Sequence, residues 1–189
     1  VQAMVIGPGM GDAPESLEAV KMLIQATPNI PKVIDADAIK ALEGWPQDLV
    51  GVVTPHQKEL ENWIGDIESV PELLTGSGER RVVIRTGAED IIIGSAGRGG
   101  LGKGGNPRML MGGTGDLLAG SIGGLLGLGL SPWSASRLGV HLMRVAGKLA
   151  EKEMGPGMVA DDIPPYLSRA LITGPVLLRQ PMQEDPSSS

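Results

Sequence analysis

Ala3-Met4-Val5-Ile6-Gly7-Pro8-Gly9-Met10-Gly11 reads as a short buried strand broken by a turn with three glycines. Asp12 and Glu15 follow as a cap, and Leu17, Val20, Leu23 and Ile24 then mark the apolar face of a helix. The same grammar recurs downstream. Lys32–Asp35 and Val50–Thr54 are strands, each followed by a helical pattern, and Val82–Ile84 is a fourth strand. Thr54-Pro55-His56-Gln57 reads as a capping box with proline at the first helical position, and Leu60, Trp63 and Ile64 form that helix's apolar side. Strands alternating with helices predict an α/β domain whose central sheet is mostly parallel, with helices on both faces. In such folds the ligand crevice opens beyond the carboxyl ends of the strands. Gly7–Gly11, Asp35–Asp37, Thr54–His56 and Arg85–Gly87 all fall at such ends.

Further along, Ile91-Ile92-Ile93 with glycines to Gly105 suggests a hairpin or flap. Asn106-Pro107-Arg108-Met109-Leu110-Met111-Gly112-Gly113-Thr114-Gly115-Asp116 then runs into the apolar stretch Leu117–Leu130, read as a core helix too short to span a bilayer. A glycine-rich turn at a helix N-terminus offers unpaired N–H groups and the positive end of the helix dipole to an anion. A carboxylate on the first turn, Asp116, is placed to take a proton from a hydroxyl beside that anion. Such a cradle with an adjacent base suits phosphoryl transfer to an alcohol. Ser131-Pro132 opens a longer helix, with Ala135, Leu138, Leu142, Val145, Ala146 and Leu149 inward and Arg137, Arg144, Lys148 and Lys152 outward. His141, between Leu138 and Val145, reads as a core histidine with its hydrogen bonds satisfied. Gly155-Pro156-Gly157 ends the helix, and Asp161-Asp162 opens a last one through Leu171. The domain is drawn as residues 1–175, with 180–189 a polar, disordered tail.

Composition narrows the function. Among 189 residues there is no cysteine, which excludes thiolate catalysis and cysteine-ligated zinc. A net charge of −6, one tyrosine and no phenylalanine argue against nucleic-acid or anionic-membrane partners.

The GPGMG turn, DADAI, TPHQKEL, GNPRMLMGGTGD, a helical His141 and GMVADDI together resemble the NAD(P)H-hydrate dehydratases, in the family's order, to about Leu171. These are ribokinase-like α/β enzymes. The resemblance implies a cytoplasmic repair lyase that restores NAD(P)H from the S-epimer of its hydrate, with Mg²⁺ and ADP (or ATP) as co-substrate, releasing AMP and phosphate when ADP is used. It implies Asp116 as catalytic base and substrate ligand. Gly9, Gly11 and His56 then hold the hydrated nicotinamide nucleotide. Arg85, Thr86, Gly87, Asn106, Met109, Gly112, Gly113, Thr114 and Gly115 hold the adenine nucleotide. No metal ligand is assigned. Asp35 and Asp37 match an acidic pair for which capping, structural and metal-linked roles stay open. Arg85-Thr86-Gly87 departs from the family's Lys-Gly, and Arg108 replaces its usual glycine. A further strand–helix region ahead of the GPG turn is missing, so the resemblance implies part of a longer chain. A homo-tetramer is among the family's assemblies. Two alternatives remain: a vitamin-precursor kinase of the same superfamily, and a non-catalytic nucleotide-binding module.

Overall fold

The computed structural model describes residues 1–47, 49–95, 99–102 and 111–173. The loop residues Asn106, Arg108 and Met109 and the tail 180–189 lie outside the described residues. Six strands form one sheet in simple sequential order, β1 (Met4–Ile6), β2 (Lys32–Ile34), β3 (Gly51–Val53), β4 (Arg81–Arg85), β5 (Asp90–Gly94) and β6 (Gly99–Gly102). The pairs from β1 to β4 are parallel, and β5 is antiparallel to both β4 and β6, so the hairpin expected around Ile91–Ile93 is present.

Side chains alternate across the pleat and divide the core into two layers. Ile34, Val53, Val83 and Ile93 face α1 (Pro14–Ala26), a 3₁₀ turn (Ala36–Ala41), α2 (Gln57–Ile64) and α3 (Val70–Leu73). Val33, Val52, Val82, Ile84 and Ile92 face α4 (Thr114–Gly127), α5 (Pro132–Met154) and α6 (Pro164–Thr173). Both faces of β2 and β3 are buried, which explains why they read as continuous apolar runs rather than alternating ones. Strand β1, expected to be buried, is instead the edge strand and leaves Val5 exposed. Each fully buried Val, Ile or Leu contributes about 1.5–3 kcal/mol relative to exposure. Among the described residues no helix is long and apolar enough to cross a membrane.

Several local expectations need correction. Asp12 does not cap α1: Ala13 occupies that position without a side-chain bond, because Pro14 opens the helix and brings no N–H of its own. Asp12 instead pairs with Lys40 at 2.7 Å. The capping box of α2 begins at His56, not Thr54. His56 N–H donates to Glu59 Oε2 at 2.8 Å, and Glu59 N–H returns a bond to His56 Nδ1 at 3.2 Å. Helix α4 is buried on one side only: Leu118, Ala119, Ile122 and Leu126 are inside, while Gly120 and Gly124 are exposed. Arg144, expected outward with Arg137 and Lys148, is buried. As for His141, it is half-buried, and its Nε2 finds no hydrogen-bond partner among the described residues.

Candidate active site

The loops beyond the carboxyl ends of β2, β3 and β4 meet the start of α4 and the middle of α5 around a cavity of about 320 Å³. Its wall includes Asp35, Thr54, His56, Glu59, Thr86, Gly87, Asp90, Gly112 to Asp116, and Arg144. The crevice therefore lies where the parallel-sheet rule puts it.

The glycine turn behaves as its composition predicts. Gly113 is the N-cap of α4 with φ of +91°, a conformation that favours glycine, and a Cβ there would sit 3.2 Å from the Ala160 methyl. Thr114 Oγ1 donates to the Met111 carbonyl at 2.8 Å, folding the approach to the helix. Asp116 is on the first turn, exposed and on the cavity wall. Helix N–H groups without intrahelical acceptors and a carboxylate thus share one opening.

Asp35, 7% exposed, lines the same cavity from the end of β2. Thr54 Oγ1 donates to its Oδ1 at 2.9 Å. Burial pushes the Asp35 carboxyl above its ordinary range, and the nearby charges of Glu59 and Asp116 add to the rise, opposed by the Thr54 bond. Its backbone is held on several sides. Asp35 N–H donates to Ile6 O at 3.0 Å, and Asp35 O accepts from Ala38 N–H at 3.2 Å. Ala36, which follows, has φ of +48°, an uncommon value for a residue with a Cβ. Gly7, at φ of +125°, packs so tightly on the Asp35 carbonyl that an added Cβ would fall 1.7 Å from that oxygen. The GPGMG turn therefore bears on the site through Gly7. Gly9 and Gly11, assigned to the substrate from the resemblance, are exposed at the turn and do not line this cavity.

His56 and Thr86 form a single parallel bridge that ties the β3 and β4 loops together, and Thr86 N–H donates to Pro55 O at 2.9 Å. His56 is exposed on the cavity wall; its Nδ1 accepts from Glu59 N–H, and its Nε2 lies 3.6 Å from Glu59 Oε1. Thr86 and Gly87 line the cavity, whereas Arg85 does not. The Arg85 Nη2 reaches Glu89 O at 3.4 Å, and its buried Nε has no partner among the described residues.

Sequence reasoning missed the pair Asp90–Arg144, each 6% exposed. Arg144 Nη2 lies 2.6 Å from Asp90 Oδ2 and Nε donates to the same oxygen at 2.9 Å. The guanidinium also donates to Ala88 O at 2.7 Å and Gly87 O at 3.0 Å, while Gly87 N–H donates to Asp90 Oδ1 at 3.2 Å. One arginine on α5 thus clamps the whole β4–β5 turn. The available signal was its place beside the otherwise apolar inward row of α5.

Residues 1–169 match the NAD(P)H-hydrate dehydratase family. The ADP-dependent (S)-NAD(P)H-hydrate dehydratase of Xanthomonas campestris is 35% identical over 172 residues, which are 86% of this chain and 59% of that protein. A bifunctional NAD(P)H-hydrate repair enzyme of Moorella thermoacetica is 33% identical over 184 residues, 90% of this chain and 34% of that one. The chain thus spans about a third of the bifunctional relative and under two thirds of the dehydratase. Among solved structures, the ADP/ATP-dependent NAD(P)H-hydrate dehydratase of Bacillus subtilis, co-crystallised with ATP/Mg²⁺ and soaked with CoA, superposes with a TM-score of 0.75 at 25% identity. That match covers 90% of this chain and 66% of the other. Hydroxyethylthiazole kinase from Pyrococcus horikoshii shares the fold, with a TM-score of 0.68 at 18% identity over 92% of this chain and 75% of that one. The ribokinase-like fold implied by the family resemblance is therefore present. With its glycine turn, capping histidine and acidic helix start gathered round one crevice in that fold, the chain belongs to the NAD(P)H-hydrate dehydratase family.

Proposed function

We propose that this protein dehydrates the S-epimer of NAD(P)H hydrate at the expense of ADP, releasing AMP and phosphate. The observation that carries this reading is Asp116 on the first turn of α4, facing a cavity it shares with the Gly112–Gly115 turn. Hydroxide leaves carbon poorly, and a phosphorylated oxygen leaves easily. In the first step the hydrate's C6 oxygen attacks the β-phosphorus of ADP. The O–H proton passes to Asp116, a new O–P bond forms, and the bond from that phosphorus to the bridging oxygen breaks to release AMP. Main-chain N–H groups of the turn take up charge on the migrating phosphoryl group. Thr86 and Gly87 face the nucleotide from the β4 side. His56, with Gly9 and Gly11 at the neighbouring turn, belongs to the substrate side of the same reading.

Mg²⁺ enters as part of the nucleotide substrate. Among the described residues no three His, Cys, Asp or Glu side chains converge to hold a resident ion. Mg²⁺ commonly sits on substrate phosphates with only one or two carboxylates. The carboxylates around the cavity make a site that favours a nucleotide arriving with its cation. The reaction is one of metabolite repair in the cytoplasm.

The test is phosphate and AMP release from Mg-ADP, with and without added NADH hydrate. Release strictly dependent on the hydrate is expected. Release that requires a different alcohol would replace this reading with a small-molecule kinase, and no turnover with any alcohol would leave a binding module. Asp116→Asn is expected to bind ADP as before and to lose about 10²–10⁴-fold in turnover, the usual worth of a positioned base. Undiminished turnover in that variant would remove Asp116 from its role.

A further inference from the structure

Water added to the nicotinamide ring puts a hydroxyl on C6 and a hydrogen on C5. Restoring the ring therefore requires two proton removals. The first, from the hydroxyl, accompanies phosphorylation. The second, from C5, accompanies or follows loss of phosphate. Asp116 leaves the first step carrying a proton, so a second acceptor is needed within the same turnover.

Among the described residues four carboxylates line the cavity: Asp35, Glu59, Asp90 and Asp116. Two are engaged elsewhere. Asp90 is paired with Arg144 at 2.6 Å, and Glu59 closes the capping box on His56 N–H at 2.8 Å. Asp35 is the remaining partner for Asp116. It enters the cavity from β2, on a different element from the glycine turn, and interacts electrostatically with Asp116. Its side chain is buried and fixed by the Thr54 hydroxyl, and its main chain is locked between Ile6, Gly7 and Ala38. A carboxylate removed from water is a stronger base than an exposed one, as the upward displacement of its titration indicates. Removal of a proton from carbon calls for that property.

Resting on the dehydratase reading, we propose that Asp35 is the base that takes the C5 proton in the second half of the reaction. When the C6–O bond breaks, its electron pair departs with inorganic phosphate and the N1 lone pair moves in to form an N1=C6 double bond. The C5–H bond then breaks. Its proton passes to Asp35, its electron pair becomes the C5=C6 double bond, and N1 regains its lone pair. Asp35 afterwards returns the proton to solvent through the opening of the cavity. The two carboxylates thus divide the work: Asp116 serves oxygen and Asp35 serves carbon.

The experiment is a rapid-quench first turnover with NADH hydrate and Mg-ADP, following AMP by chromatography and the restored dihydronicotinamide by absorbance. In the unsubstituted protein the two products should appear together. In Asp35→Asn, which keeps an oxygen to accept from Thr54, AMP should form at nearly the normal rate. The dihydronicotinamide should lag about 10²–10⁴-fold behind it, with phosphorylated hydrate accumulating between. The AMP burst itself shows that the variant is folded and binds both substrates. Thr54→Val, which leaves the carboxylate but frees its orientation, should slow the second product and spare the first. Deuterium at C5 should slow dihydronicotinamide formation without touching AMP. The assignment is overturned if Asp35→Asn restores the ring at the normal rate, in which case water is the acceptor. It is equally overturned if both products fall together, since Asp35 would then belong to binding or to phosphoryl transfer. If the unsubstituted protein gives no hydrate-dependent AMP, the dehydratase reading fails, and the assignment with it.

Discussion

Removing the guanidinium of Arg144 leaves Asp90 with a buried charge and frees the carbonyls of Gly87 and Ala88 at once. Breaking one side of a buried ion pair costs about 3–5 kcal/mol, whereas replacing both partners by apolar residues of similar volume is often neutral. Arg144→Met is therefore expected to lower the urea midpoint strongly, and Arg144→Met with Asp90→Leu to recover much of the loss. If the double variant is no more stable than the single one, the clamp on the turn rather than the charge is what matters. Asp35 carries the opposite sign. Because burial raises its folded-state pKa, its stability contribution is fully present below the unfolded pKa and is lost as pH rises through the folded one. Asp35→Asn should accordingly melt higher than the parent at neutral pH, by on the order of a few degrees. The gain should shrink as the solution is acidified. A pH-independent difference would show that ionisation of Asp35 is not what the fold tolerates there. A gain that does shrink with acid makes the same residue both a stability liability and, on the proposed mechanism, a chemical asset, a frequent pairing at active sites.

Between elements, the glycines of α4 and α5 divide sharply by what they touch. A Cβ on Gly139 would lie 2.6 Å from Ile122 Cγ1, so α5 approaches α4 at a distance only glycine permits. Gly139→Ala should cost about 1–3 kcal/mol through overpacking, and less than additively when combined with Ile122→Ala. Gly120→Ala, whose methyl meets nothing within 4 Å, should instead stabilise by about 0.5–1 kcal/mol. Urea titration of the three variants measures both signs. Elements were legible wherever period and punctuation agreed. β1 ran into Gly7, β2 into Asp35 and β3 into Thr54-Pro55, α5 opened on Ser131-Pro132, and the Gly112–Asp116 turn stood before an apolar run. Caps were harder to read. Thr54 resembles a cap as strongly as His56 does, and only the burial of Asp35, a tertiary fact, draws the threonine hydroxyl away. Arg144 escaped for a related reason: a helical wheel assigns charge to the outside, and its partner lies far off in the chain on β5. Asp35 was visible as a residue but not as a buried one, because burial at a strand end depends on the loops that fold over it.

At the level of the molecule, the repeated strand–turn–helix grammar predicted a mostly parallel sheet, but its sequential strand order is known only from the structure. The hydrophobic pattern also specified that both faces would be covered. It did not specify that α4 and α5 bring Asp116 and Arg144 back over the ends of β2 and β4, and this return builds the cavity. Its wall is recruited from Asp35 through Arg144, with no two neighbouring contributors on the same strand. No sub-segment of the chain owns the pocket, so a partly assembled intermediate has nothing to offer a ligand. Occupancy is therefore thermodynamically linked to completion of the fold. On the proposed function, a nucleotide seated there would fasten the first half of the polypeptide to the second, and the cell's supply of that nucleotide would become a determinant of how long the protein survives as well as of how fast it works.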